Sequence, residues 1–156
     1  MTLKSKIAVV LVDTGRLLLI KEWSNKKKGY YWNLIKGTYG DHEGETLEIC
    51  AKREALEEAG VNIEIDCLIS CYLAMGNDVG IQFNFLAHPK DKNAVSIVDK
   101  EEQKLRGEDI TELKWFTKEE LSKMDKDQFI NNRISMVIND YLKNERYSFD
   151  VIPEWN

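Results

Sequence analysis

The order of apolar segments predicts an α/β fold of the α+β kind, in which a sheet is layered against helices. Three observations carry that expectation. Strand-like runs at 6–12 and 16–20 precede a helical segment that stops at Gly60. Two alternating runs follow at 61–74 and 81–87, and a second helical pattern occupies 128–144.

Each element has a local reason. Residues 6–12 form a nearly continuous apolar run, as in a buried strand, and Asp13-Thr14-Gly15 is a hairpin turn into 16–20. Residues 24–30 are polar and lysine-rich, which predicts a loop, with Lys26, Lys27 and Lys28 read as a solvated run or, alternatively, as a group that meets phosphates. Residues 32–35 make a short strand leading to a glycine-bearing loop at 37–44. Beyond the first helix, Gly76 to Gly80 is a turn between strands, and 88–108 is a long charged loop with one helical turn. A further strand at 110–116 runs into Thr117 and Glu120, spaced as a capping box for a short helix through Met124. In the last helix Ile130, Ile134, Val137, Ile138, Tyr141 and Leu142 share one face, and Phe149 and Trp155 lie in the tail beyond it.

Composition narrows the function classes. A chain of 156 residues is expected to form a single domain, 1–156, large enough to bury its core without staples. The net charge of −5 argues against general nucleic-acid binding. No apolar run reaches membrane-spanning length and no signal-peptide core is evident. Cys50, Cys67 and Cys71 are odd in number and sit in apolar contexts, so the expectation is a reduced cytoplasmic protein with buried thiols. A monomer or a homodimer is expected, with no membrane partner.

The chemistry concentrates in Arg53-Glu54-Ala55-Leu56-Glu57-Glu58-Ala59-Gly60-Val61, with Glu45 eight residues before the arginine. A helix advances about 100° per residue, so Glu54, Glu57 and Glu58 share an arc of roughly 100°. Ile49, Ala55, Leu56 and Ala59 fall on the opposite arc, where they would bury against a sheet. Two readings are open at this level. The carboxylates form a solvated acidic stripe, or they hold hard divalent cations, which take oxygen ligands.

The same stretch resembles the signature of the Nudix (MutT-like) hydrolases: a glycine, a glutamate, Arg-Glu, an apolar residue, any residue, Glu-Glu, any residue, glycine and an apolar residue. Residues 53–61 match its second half at every position, and Glu45 stands at the required distance before Arg53. The leading glycine should fall where Tyr39 stands. Gly37 is the nearest glycine upstream, so the intervening loop is two residues longer than the pattern, and Tyr39 is expected to project toward the substrate cleft or solvent.

The resemblance covers about residues 5–144, leaving 145–156 as a tail, and implies an α/β/α sandwich with a mixed β-sheet between helices. It implies a pyrophosphatase, a hydrolase of pyrophosphate bonds in nucleoside diphosphate-linked or nucleoside polyphosphate substrates, with magnesium or manganese as cofactor. The alternative is a catalytically silent domain that senses a nucleotide. Carried over by position, Glu54, Glu57 and Glu58 would hold Mg²⁺ or Mn²⁺, with the Gly37 carbonyl as a further ligand. Arg53 would pair with Glu45, which must curl back because eight helical residues span about 12 Å. The proton acceptor is left open between Glu54 and an acid of the long loop, namely Asp99, Glu101, Glu102, Glu108 or Asp109, of which Asp109 is singled out by its place before the next strand. Trp32, Lys36 and Tyr39 are the candidate substrate contacts, Trp32 by stacking on a base or else by filling the core. His42 and His88 are read as bystanders.

Overall fold

The computed structural model describes residues 3–74, 79–91 and 95–153. Its elements follow the predicted alternation. Strands β1 (Leu3–Asp13), β2 (Arg16–Ser24), β3 (Gly29–Asn33) and β4 (Ile35–Tyr39) precede helix α1 (Leu47–Ala59). Then come β5 (Ile63–Ala74), β6 (Val79–Pro89), α2 (Lys100–Leu105), β7 (Ile110–Thr117), α3 (Lys118–Ser122) and α4 (Asn132–Leu142).

The sheet is mixed, as expected. Its main path runs β3-β2-β1-β6-β5, with β4 beside β1 and β7 beside β2. β1 pairs in parallel with β6, from Leu3 opposite Val79 to Leu11 opposite Ala87, while its other partners β2 and β4 are antiparallel. Alternation along β1 feeds two apolar layers. Ile7, Val9 and Leu11 pack under α1 with Ile35, Cys50, Ala51, Ala55 and Phe85. Ala8 and Val10 face the other way, onto Phe116, Leu121, Phe129 and the inward side of α4. The sheet is therefore sandwiched between helices, the α/β/α layering implied by the motif.

Several boundaries depart from expectation, each for a local reason. The loop expected at 24–30 shrinks, because β2 continues to Ser24 and β3 opens at Gly29. The loop expected at 37–44 begins only after Tyr39, since Gly37, Thr38 and Tyr39 pair with Ile7, Lys6 and Ser5. Residues 88 and 89 extend β6, and α2 is the helical turn expected in the charged loop. The terminal helix starts later, at Asn132: a 3₁₀ turn at Lys126–Gln128 is followed by extended Phe129, and Asn131 caps the helix through its side chain. Thr117 and Glu120 do form the capping box. Cys50 is buried, but Cys67 is only half-buried and Cys71 is exposed, and all three thiols are free. The turn expected at 76–80 and Trp155 fall wholly or partly outside the described residues.

The larger correction concerns α1. Thr46 caps it by accepting the Ile49 amide, and Gly60 ends it at φ 61°, a left-handed conformation that glycine adopts without strain. Its buried face, however, consists of Leu47, Cys50, Ala51, Glu54, Ala55, Glu58 and Ala59. Ile49 and Leu56, expected to be buried, are half exposed. The helix turns two carboxylates inward at the cost of two aliphatic side chains.

The chain beyond α4 folds back over the α1 layer. Tyr147 and Leu68 exchange backbone hydrogen bonds, and the Phe149 ring lies 5.3 Å from that of Phe85. Phe149 is only partly buried, so Phe149→Ala is expected to cost about 1–2 kcal/mol, read as a shift in the urea midpoint. Val151→Ala, on an exposed side chain of the same segment, should stay within about 0.5 kcal/mol.

Candidate functional site

The site is assembled around one arginine on α1. Arg53 reaches back to Glu45, its Nε donating to Oε1 at 2.7 Å, and the Glu45 side chain is 2% exposed. Glu45 lies outside the helix, before the Thr46 cap, so the expected curl is supplied by the loop end. The other arm of Arg53 donates to Glu54 Oε1 at 2.8 Å and to Glu57 Oε2 at 3.2 Å. Its bond to Arg53 holds the Glu45 carboxyl below its ordinary pKa.

Glu54 leans on β4. A Cβ built on Gly37 would overlap the Glu54 carboxyl group, so only glycine lets the helix acid lie against the strand. Burial pushes the Glu54 carboxyl up to about 7, against the pull of Arg53. Glu58 is more deeply set. Its Oε2 accepts the backbone N–H of Lys36 at 3.2 Å, and burial raises its pKa well above the ordinary value although Lys36 opposes this.

The acidic trio that the fold brings together is Glu54, Glu57 and Glu108, each offering a carboxylate oxygen within 4.8 Å of the others. Glu108, one of five loop acids open at sequence level, joins from the turn after α2. Arg106 fixes it there, with Nε 3.3 Å from Glu108 Oε2 and Nη2 donating to the Glu57 carbonyl at 3.0 Å. Burial also raises the Glu108 carboxyl, partly offset by Arg106. Glu58 lines the same cleft but is not one of the three.

A second acid, missed in the sequence, supports the floor. A bulge between Lys21 and Glu22 turns Glu22 inward, where its Oε1 accepts from Asn33 Nδ2 at 2.5 Å and from Lys36 Nζ at 2.9 Å. Burial works against the Lys36 ammonium, but Glu22, Glu58 and Glu54 around it raise its pKa. Lys36 is thus tied into the acid network.

These groups line a cleft of about 830 Å³ that also takes in Lys6, Trp23, Lys26, Gln82, Asn131, Arg133 and Ile134. Arg133 and Lys26 have no carboxylate partner among the described residues. Asp109 lines the cleft but accepts the Tyr30 hydroxyl at 2.8 Å, and its neighbour Glu108 takes the place beside Glu54 and Glu57. Trp32 is 8% exposed, edge-on to Phe116, and fills the core. Tyr39 packs against the α1-side apolar layer, because it shares a strand face with Ile35 and Gly37. The two extra residues ahead of Glu45 thus lengthen β4 and its turn rather than pushing Tyr39 into the cleft. Asp99 caps α2, and Glu101 and Glu102 are exposed. His42 lines the cleft, while His88 pairs with Asp66 elsewhere.

The donor set fits a hard divalent cation. Seven acids (Glu22, Asp41, Glu54, Glu57, Glu58, Glu108 and Asp109) and six cations (Lys6, Lys26, Lys36, Arg53, Arg106 and Arg133) line the cleft, and desolvation shifts Glu54, Glu58 and Glu108 upward. Negative charge is in excess, and oxygen is the only donor type in the trio.

The Arg53–Glu45 pair allows a stability prediction. A carboxyl with a depressed folded pKa stabilises above its unfolded pKa and loses that contribution as pH falls through the carboxylate range. Glu45→Gln is expected to cost about 1–2 kcal/mol at pH 7, allowing for the partly exposed arginine. The difference from wild type in thermal melts should close as the pH falls toward 3.

Comparison with known proteins bears on the family and the fold. The NUDIX domain family model matches residues 2–136. Among solved structures, a NUDIX hydrolase from Nitrosomonas europaea superposes with a TM-score of 0.77 at 19% identity, covering 99% of this chain and 98% of its own. A MutT NUDIX hydrolase from Burkholderia pseudomallei gives 0.68 at 20% identity, covering 90% of this chain and 98% of its own. A NUDIX-family hydrolase from Clostridium perfringens gives 0.63 at 20% identity, covering 92% and 98%. Comparison with curated proteins found no match. At these identities the solved structures speak for the fold, and the family model speaks for the lineage. With that model spanning most of the sequence, the chain belongs to the NUDIX family and is a hydrolase of pyrophosphate bonds.

Proposed function

We propose that this enzyme hydrolyses the pyrophosphate bond of nucleoside diphosphate-linked or nucleoside polyphosphate substrates, with Mg²⁺ or Mn²⁺ as cofactor. The observation that carries the reading is the trio Glu54, Glu57 and Glu108, gathered within 4.8 Å in a cleft that also takes in Lys26 and Arg133, neither of which has a carboxylate partner among the described residues. A cleft that holds both this acidic trio and cations with no carboxylate partner among the described residues suits a phosphate chain.

Glu54, Glu57 and Glu108 would hold the ion, with Glu58 and the Gly37 carbonyl as the further ligands that the motif implies. A bound divalent ion neutralises phosphate oxygens and lowers the pKa of a coordinated water. The chain's own groups do the rest. Arg53 fixes Glu54 and Glu57 in register, and Arg106 does the same for Glu108. Lys26 and Arg133 reach the phosphates remote from the acids. Glu54, held against Gly37, is the proposed acceptor for the proton of the attacking water, through the carboxylate oxygen that does not hold the ion. Asp109 is less suited, being already bonded to Tyr30.

The test is a panel of nucleoside diphosphate derivatives assayed with and without Mg²⁺. Hydrolysis should require the ion, stop with EDTA, and leave p-nitrophenyl phosphate untouched. Glu57→Gln and Glu108→Gln should each lower kcat by about a hundredfold or more while melting temperatures hold. Full turnover in both variants would sink the assignment. Gly37→Ala carries a separate expectation: its methyl group displaces the Glu54 carboxyl, so kcat should fall about a hundredfold with the fold intact by circular dichroism.

A further inference from the structure

Helix α2 buries a residue that a surface helix would leave in water. Gln103 is 3% exposed, while Leu105, two positions on, is 89% exposed. A buried carboxamide is costly unless both of its ends are bonded. Here both are. Gln103 Nε2 donates to the Val98 carbonyl at 2.8 Å, and its Oε1 accepts the Ile110 amide at 2.7 Å. One partner is a carbonyl and the other an N–H, so the carboxamide sits only one way round. The side chain thus joins the residue just before the Asp99 cap to the first residue of β7.

The main chain makes a second connection. The Gln103 carbonyl accepts the Glu108 amide at 2.9 Å, the Lys104 carbonyl accepts that of Gly107 at 3.1 Å, and Gly107 turns left-handed at φ 70°. This is the pattern of a Schellman stop, in which residues at the places of Gln103 and Glu108 are often apolar and touch each other. Here both are polar. Gln103 gives its side chain to the two ends of the segment, and Glu108 gives its own to the trio with Glu54 and Glu57. The Asp109 carbonyl accepts the Trp23 amide at 3.0 Å, which ties the turn to β2 as well. Arg106 holds the tip of the Glu108 side chain. Gln103 holds the backbone from which that side chain springs.

We propose that Gln103 is a positioning residue for the metal site: by joining Val98 to Ile110 it sets Glu108 beside Glu54 and Glu57, and so sets the affinity for the divalent ion. This rests on the reading of those three glutamates as ligands of the ion, and adds the buried group on which the third of them depends. Without the carboxamide, the Val98 carbonyl and the Ile110 amide lose their partner, and the turn between them is free to carry Glu108 away from α1.

The experiment titrates Mn²⁺ into the apo protein and follows the free ion by its electron paramagnetic resonance signal. Wild type, Gln103→Met, Glu108→Gln and the double variant form a cycle. Methionine keeps an unbranched side chain of similar length and removes both hydrogen bonds. Gln103→Met is expected to raise Kd about tenfold, the scale on which partners of metal ligands act. In the Glu108→Gln background the same change should alter Kd by less than about twofold, because its effect passes through Glu108. The Mn²⁺ concentration for half-maximal turnover should rise in step with Kd. A purely structural role would lower the melting temperature and show no such coupling. An unchanged Kd in folded Gln103→Met, or an equal change in both backgrounds, would overturn the inference and leave the metal reading standing. Wild type that binds no Mn²⁺, or Glu108→Gln that binds it as tightly as wild type, would overturn the reading of the trio and the inference with it. Should Gln103→Met fail to fold by thermal melt, Gln103→Asn, too short to span Val98 and Ile110, decides the question by the same cycle.

Discussion

The organising constraint is the burial of carboxylates on the inward face of α1. Glu54 and Glu58 occupy positions that a structural helix would give to leucine, and Ile49 and Leu56 are left half in water. Buried charge of one sign is costly unless it is paired and hydrogen-bonded. Much of the surrounding architecture follows from that need. Gly37 clears space for Glu54, the Lys36 amide serves Glu58, Arg53 spans three glutamates, and Arg106 carries Glu108 to the same point. The pairing is incomplete, which is the state expected of a site built to receive a cation.

Much of this was legible in the sequence because it is local. Fixed spacing on one helix placed Glu54 and Glu57 together, and the partnership of Arg53 with Glu45 needed only one curl of chain. The strands were legible wherever apolar residues ran together or alternated, and Thr117 with Glu120 announced its helix. Helical phase misled at Ile49 and Leu56, since hydrophobicity assigns the inward face only when the buried residues are apolar.

What the sequence could not show is long-range or depends on a small irregularity. Glu108 reaches Glu57 across about fifty residues, and nothing near it marks it apart from Asp109. Glu22 turns inward through a bulge, and its acidic character in a strand reads as ordinary solvent exposure. Tyr39 looked like a loop residue because glycines surround it, yet β1 captures it as a strand partner. Asp140 and Tyr72 lie on different elements, and only the packing of α4 on β5 brings them together.

The parallel pairing of β1 with β6 bears on how the molecule comes into being. Leu3 meets Val79 and Leu11 meets Ala87, so the central strand waits for a partner some seventy-six residues downstream. Hairpins such as β1–β2 close within microseconds, but a parallel register with so wide a gap forms only after a large loop has closed. Until then Ile7–Leu11, all fully or almost fully buried in the finished protein, present an open apolar edge. That interval is when a nascent or refolding chain is most exposed to association with its own kind.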